Sequence, residues 1–367
     1  MDKSMFQGFV DKYFTPLVGK VTERYNDATK EPQLLFKQWL TEEYSVDLNW
    51  GATTLNHSIV AADVVTLESP LPLKSRSVIT NASGKLPKIG MQMRKGEQLI
   101  TDINIMMAKG AQEAQIAAKI FDDVAKVIKG VDVRTEIMFE QALSTGYCLV
   151  DSDDAPAGQG IRVGYGYRDE NRFKAKGSKW GVDGELPQDD VQQLFDKAQE
   201  DGNSIMHVFI SKQYFDLFRH SEQGRLLAAN FKNQIIAKGV QLPIASRREF
   251  LEVLGDEYQA EFHVVDSSFK VEGKDGKRTA LKPWEQANVV GVPDSVVGRL
   301  VYGTLAEETN PVQGVSYEKS GSHILVRKYS KPEPLEEFTS AQSMCLPVID
   351  GGDSIYVLTA NETQSEG

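Results

Sequence analysis

The stretch Ser69-Pro-Leu71-Pro-Leu73-Lys74-Ser-Arg76-Ser-Val-Ile-Thr-Asn81-Ala-Ser-Gly84-Lys85-Leu-Pro-Lys88-Ile-Gly90-Met-Gln-Met-Arg94-Lys95-Gly96 carries six lysines and arginines and no aspartate or glutamate. The 367-residue chain has 41 basic and 52 acidic residues, net −11, so everything outside this window stands at −17, six charges lower. Pro70 and Pro72 favour polyproline or edge-strand geometry, and Asn81–Gly84 is a turn signal. The window has no Phe, Tyr, Trp or His, which removes the stacking platform a single-strand nucleic-acid binder needs. It does have Leu71, Leu73, Val78, Ile79, Leu86, Ile89, Met91 and Met93, suited to packing on protein. The reading is an extended basic arm on an acidic body, docking on an acidic face of another protein. Its contact candidates are Leu71, Leu73, Lys74, Arg76, Lys85, Lys88, Arg94 and Lys95. Asp183–Glu200 and Glu333–Glu337 are acidic surfaces it could meet.

Outward from the window, residues 46–105 read as extended chain, with β-rich Ile59–Val65 and Ser77–Thr80. An isolated hairpin is marginal in water, so something must hold it. Residues 111–146 carry the longest helical signal: Ile116, Ile120, Val124 and Ile128 step by four. Gly130-Val131-Asp132 allows a break or kink, after which Asp132 could cap a second helix that Gly146 closes. Residues 1–45 are helical in patches (Phe6, Phe9, Val10, Tyr13, Phe14, then Leu34–Trp39 after Pro32). Such short pieces need a larger surface, either their own core or a neighbour's. Tyr147–Val150 and Ile161–Tyr167 form a hairpin pattern, and Leu186–Asp190 a helix start. From Ser204 strands and helices alternate: strand Ile205–Ile210, a helix capped by Ser211, Gly224–Phe231, Ser246–Gly255, strand Glu261–Asp266, and a polar hairpin at Glu272–Lys277. Val289–Val292 and Arg299–Gly303 follow, and the tail is two strands around Asp350–Asp353. The class is α+β.

Composition is that of an ordinary globular chain, 41% hydrophobic and 25% charged. No run spans a bilayer, and the Met1–Phe6 start lacks the basic-then-apolar order of a secretory signal. Cys148 and Cys345 stand apart in apolar contexts, as buried thiols of a reducing cytoplasm do. Gly158, Gly160 and Gly164 have the wrong spacing for a dinucleotide loop and lead into strand instead of helix. Asp151, Asp153 and Asp154 evoke a calcium loop, but Pro156 replaces its glycine and Arg162 its bidentate Glu. His57, His207, His220, His263 and His323 have no ligand spacing, and His207 and His263 read as core or sheet-edge residues. No catalytic, cofactor-binding or metal residue is expected.

The order of parts resembles the lambda-type capsid protein E family of tailed-bacteriophage major capsid proteins, which have the Hong Kong 97-like fold. The likeness lies in ordered blocks over about residues 45–360. They are Ser69–Lys74 running to Lys88–Met93, Asp132–Thr145 into Gly146-Tyr147-Cys148, and Gly177–Trp180 followed by Asp189–Ala198. His207–Phe215 follows, and last Pro334–Ser343 with Leu346-Pro347, Asp350 and Asp353, the block of greatest weight. The resemblance implies an N-terminal arm (1–45), an extended loop (46–105), a peripheral domain with a spine helix (106–203 and 331–367) and an axial domain (204–330). It implies a non-enzymatic protein without cofactor that self-assembles, as pentamers and hexamers, into an icosahedral head shell around double-stranded DNA, without sequence-specific DNA binding or membrane contact. Scaffolding, portal and decoration proteins stay open as partners, and the location implied is the virion, assembled in the host bacterial cytoplasm. Lys–Asn cross-linking known in some relatives is not expected. An encapsulin-like nanocompartment shell and a cytosolic α/β enzyme are the rival readings.

Overall fold

A computed structural model describes residues 2–53, 81–150, 161–232, 242–273 and 276–364. Leu71, Leu73, Lys74 and Arg76, the strand patterns at Ile59–Val65 and Ser77–Thr80, and the loop Asp151–Gly160 lie outside these residues. By contacts the chain divides into a first unit of 1–50, 83–139 and 299–348 and a second of 51–82, 140–298 and 349–367.

In the first unit, Ile116, Ile120, Val124 and Ile128 do fall on one buried stripe. The helical break is nevertheless elsewhere: helices Glu113–Ile120 and Val124–Thr145 meet at Phe121–Asp123, and Gly130 is helical. Gly130 sits in the helix because the strand Lys88–Gly96 presses on it. A Cβ there would stand 2.0 Å from the Met91 sulfur. That strand pairs antiparallel with the central strand Glu336–Ile349, from Glu336↔Gly96 to Met344↔Lys88. On the central strand's other edge runs Ile324–Lys331, with Leu325↔Gln342 to Lys331↔Glu336. Leu40–Ser45, Gly298–Gly303 and Ser316–Ser320 complete six strands.

The alternation of a strand sends Ile324, Val326 and Ala341 into one core with Ile116, Ile120, Val124 and Ile128. Phe6, Val10, Phe14 and Val18 of the helix Gln7–Asn26 join the same core, at i, i+4 spacing. Residues 2–26 thus cap their own subunit's core instead of extending from it as an arm. Residues 97–105, expected extended, are helical: Glu97–Ala108 begins after Gly96, with Glu97 favourable at the positive end of the helix dipole and Ile100 and Ile103 buried.

The second unit has a five-stranded sheet in the order Arg172–Ala175, Tyr356–Thr363, Asn288–Val292, His207–Ser211, Glu261–Val265. Helices Pro187–Glu200, Lys212–His220, Glu222–Phe231 and Arg247–Tyr258 contribute Leu194, Phe215, Phe218, Leu227, Phe250 and Leu254 to a core with Val208, Ile210, Phe262 and Val289. The expected caps are present: Ser211 Oγ accepts from Tyr214 N, and Ser246 and Glu249 form a capping box. The long helix ends at Gly146 with φ +79°, where a Cβ would lie 2.8 Å from the Tyr167 ring. Among the described residues no helix is long and apolar enough to cross a membrane.

Candidate assembly surface

The basic window divides into parts with different fates. Lys95 follows the strand's alternation onto the core face of the first unit's sheet, where it is only 5% exposed. Its ammonium binds the carboxylates of Asp122 and Asp123, the second at 2.7 Å. Lys126 Nζ also reaches Asp123, at 3.0 Å. Burial pushes the Asp123 carboxyl up, but the hydrogen bonds from Lys95 and Lys126 outweigh it and hold it below the ordinary carboxylate value. The helical break at Phe121–Asp123 is what presents this acid pair to the strand.

Beside it lies a second buried cation that charge counting does not reveal. Lys328 continues the inward series Ile324, Val326, Lys328 and is fully buried. Its Nζ stands 3.4 Å from Glu337 Oε1 and donates to Thr339 Oγ1 at 3.2 Å. Burial lowers the Lys328 pKa, against the attraction of Glu337. Glu337 in turn accepts from the Ser4 hydroxyl and, at 3.2 Å, from Met5 N–H. Carboxylates expected to receive a neighbour's arm thus bind within their own subunit. Arg94 likewise donates to Glu336 at 2.7 Å, though its side chain stays 72% exposed.

The N-terminal segment has a further anchor. Glu136 of the long helix accepts from Leu35 N (2.7 Å) and Phe36 N (2.9 Å), at the start of the short helix Leu35–Trp39. Burial pushes its carboxyl up to about 7.

Of the eight contact candidates, then, Lys95 lies in an internal ion pair, and Arg94, still mostly exposed, pairs with Glu336 of its own subunit. Lys85 and Lys88 are exposed. Leu71, Leu73, Lys74 and Arg76 lie outside the described residues. A window free of acids cannot signal that the partners lie 27 and 28 residues on, at Asp122 and Asp123, or at Glu336 in the last third of the chain.

Nucleophilic chemistry finds no foothold at the cysteines. Both are buried thiols outside any disulfide, and burial raises the Cys345 thiol to about 11. His207 and His263 do lie on sheet strands, His263 on the edge strand, and there they come together. In the second unit's sheet His207 pairs with Glu261 in parallel register, and His263 lies two residues along the same edge strand. One face therefore gathers His207, Glu261 and His263, which no spacing along the chain could show.

The model of the family described as phage major capsid protein E matches residues 21–360. The chain belongs to that family. Similar solved structures include the putative capsid protein of a prophage of E. coli CFT073, 12% identical with a TM-score of 0.55 over 98% of this chain and 99% of that one. A phage-related protein of Bordetella bronchiseptica RB50 is 11% identical with a TM-score of 0.51, covering 94% and 96%. No curated protein sequence matches. At such identities the structures speak to the fold alone, an α+β Hong Kong 97-like capsid fold, as the sequence blocks implied. Membership in the phage major capsid protein E family makes the chain a structural protein of the virion, the builder of a phage head shell.

Proposed function

We propose that many copies of this chain close, as pentamers and hexamers, into an icosahedral shell around packaged double-stranded DNA, catalysing no reaction. In this reading residues 106–203 and 331–367 form the peripheral domain, with Val124–Thr145 as its spine helix, and residues 204–330 gather around the local symmetry axes as the axial domain. Repeated heterologous contacts close when the rotation between copies closes. The basic segment serves as the docking device through Lys74, Arg76, Lys85 and Lys88, while Arg94 and Lys95 hold its base to the parent subunit. The observation that carries this reading is the division of the window itself: its last strand, Lys88–Gly96, is fixed by a nine-residue ladder and an internal ion pair, while Lys85 ahead of it and Lys88 at its first position are exposed. A strand rooted so firmly can present what precedes it to a neighbour. The acidic remainder suits a wall that does not grip phosphate, since each cation bound to DNA adds salt-dependent affinity. Assembly in the bacterial host's cytoplasm, with scaffolding, portal and decoration proteins as further partners, completes the proposal.

Negative-stain microscopy and gel filtration of the expressed protein test it. Hollow megadalton particles are the expected result. A monomer or small oligomer across a wide concentration range, alone and with the phage's other head proteins, overturns it.

A further inference from the structure

The geometry points to a divalent transition-metal site of the zinc class in the second unit, formed by His207 Nδ1, His263 Nε2 and Glu261 Oε2. All three ligand atoms lie within 4.8 Å of one another. The nitrogens are 3.1 Å apart, and the carboxylate oxygen is 3.6 Å from His207 and 3.9 Å from His263. A triangle with those edges has a point about 2.1 Å from all three corners, which matches zinc–imidazole and zinc–carboxylate bond lengths of roughly 2.0–2.2 Å. A cation there needs no movement of the backbone, and one coordination position remains open to water.

The sheet builds this arrangement. Val208, Ile210 and Phe262 point into the helix-covered core, so their neighbours in the alternation face the other way. On that other face Phe209 stacks on the His263 ring at 5.0 Å and packs on Trp284 at 6.0 Å. The His263 imidazole is therefore held by packing and lies beside the His207 ring at 5.3 Å, while Glu261, 69% exposed, reaches in from solvent. Two imidazoles and one carboxylate are a donor set for zinc, nickel, copper or iron, and a poor one for magnesium or calcium. Because His207 and the two others sit on different strands, the ion would tie the edge strand Glu261–Val265 to the sheet. The simpler arrangement, one imidazole donating to the other, uses the same 3.1 Å contact and needs no ion; experiment separates the two.

Full-length protein is stripped with chelator, dialysed and titrated with cobalt, then with zinc. The expected result is a visible band of four-coordinate cobalt, stoichiometric with the chain and bleached by zinc, and a thermal midpoint higher in zinc than in chelator. His207→Gln and His263→Gln each weaken binding by more than the roughly 10–100-fold that losing a supporting contact costs. Glu261→Gln weakens it too, and His220→Gln leaves it unchanged. If the histidine variants do not fold, the exposed Glu261→Gln variant and the zinc-dependent midpoint of the wild-type chain decide. A cobalt spectrum like that of the aqueous ion, with the same midpoint in zinc and in chelator, overturns the site. So does a band that survives in Glu261→Gln and in a folded His207→Gln/His263→Gln double variant. These readouts do not depend on particle formation.

Discussion

In the first unit two lysines, Lys95 and Lys328, lie under the sheet among carboxylates, while none of the described lysines and arginines of the second unit is buried. The second unit fills its interior with rings instead: Phe209, Phe215, Phe218, Phe250 and Trp284 are at most 2% exposed. The first unit is assembled from three separated segments, and polar contacts join them: Lys37 to Asp132, Arg94 to Glu336, and Glu337 to Ser4 and Met5. Apolar contact is non-directional, so it cannot dictate which distant segment lies where. A buried charge can, because any wrong partner leaves it uncompensated.

The largest expected effects break each interior at its own kind of contact. Glu337→Ala strands Lys328 without its counter-charge and should cost about 3–5 kcal/mol, read as a lower urea midpoint. Replacing both partners by apolar residues (Lys328→Met with Glu337→Leu) should recover much of that loss, short of the hydrogen bonds that Glu337 accepts from Ser4 and Met5. If the double variant is as weak as the single one, the pair is not what matters at that site. Phe218→Ala in the second unit should also cost about 3–5 kcal/mol, through a cavity. Its ring meets Phe250 edge-on at 5.2 Å, so the two alanine substitutions should not add. Polarity offers no rescue there, which is the contrast with Lys328.

A smaller effect follows from pH. Glu136 has its carboxyl raised from 4.5 to about 7 by burial. The folded chain therefore keeps a proton that the unfolded chain gives up in that window. The sign follows: this contribution is full below pH 4.5 and is lost as the pH rises through 7, a span worth about 3 kcal/mol. Asp123, held low by Lys95 and Lys126, works the other way: its contribution is present above the ordinary value of 3.8 and lost as the pH falls below it. Stability curves of Glu136→Gln should lose the decline between pH 5 and 7 that the wild-type chain shows. An unchanged slope would mean that another group sets it.

These differences also explain what was legible in the sequence. The second unit reads well because its signals are local: Ser211 and Ser246 cap their helices, Pro187 begins one, and Gly146 ends another. In the first unit the helix at Glu97–Ala108 escaped notice because the basic run carries straight into it. The break falls at Phe121–Asp123, which no glycine or proline marks, while at Gly130 the glycine serves the approach of Met91 and not a bend. Nothing along the chain marks Lys328, and its burial follows only from the register of three strands. The pairing of His207 with Glu261 and His263 is invisible for the same reason. Sequence spacing records neighbours along the chain, whereas these sites are made by neighbours across a sheet.

The smallest expected effect on folding carries the most information about the basic segment. Arg94→Ala removes a surface ion pair with Glu336, worth about 0–1 kcal/mol. Lys85→Glu and Lys88→Glu, both at exposed positions, should also leave the urea midpoint within about half a kcal/mol. Their effect is expected on association instead: a reversed charge facing an acidic neighbour repels it, and the repulsion repeats at every copy of a closed shell. If the docking role is right, the Lys85→Glu/Lys88→Glu double variant stays folded and soluble but yields few or no particles, and added salt partly restores them by screening. Arg94→Ala, its partner being its own Glu336, should assemble as the wild-type chain does. Particles in equal yield from all of these would leave the window's cations with a purely intramolecular role, and the docking surface would have to be sought elsewhere.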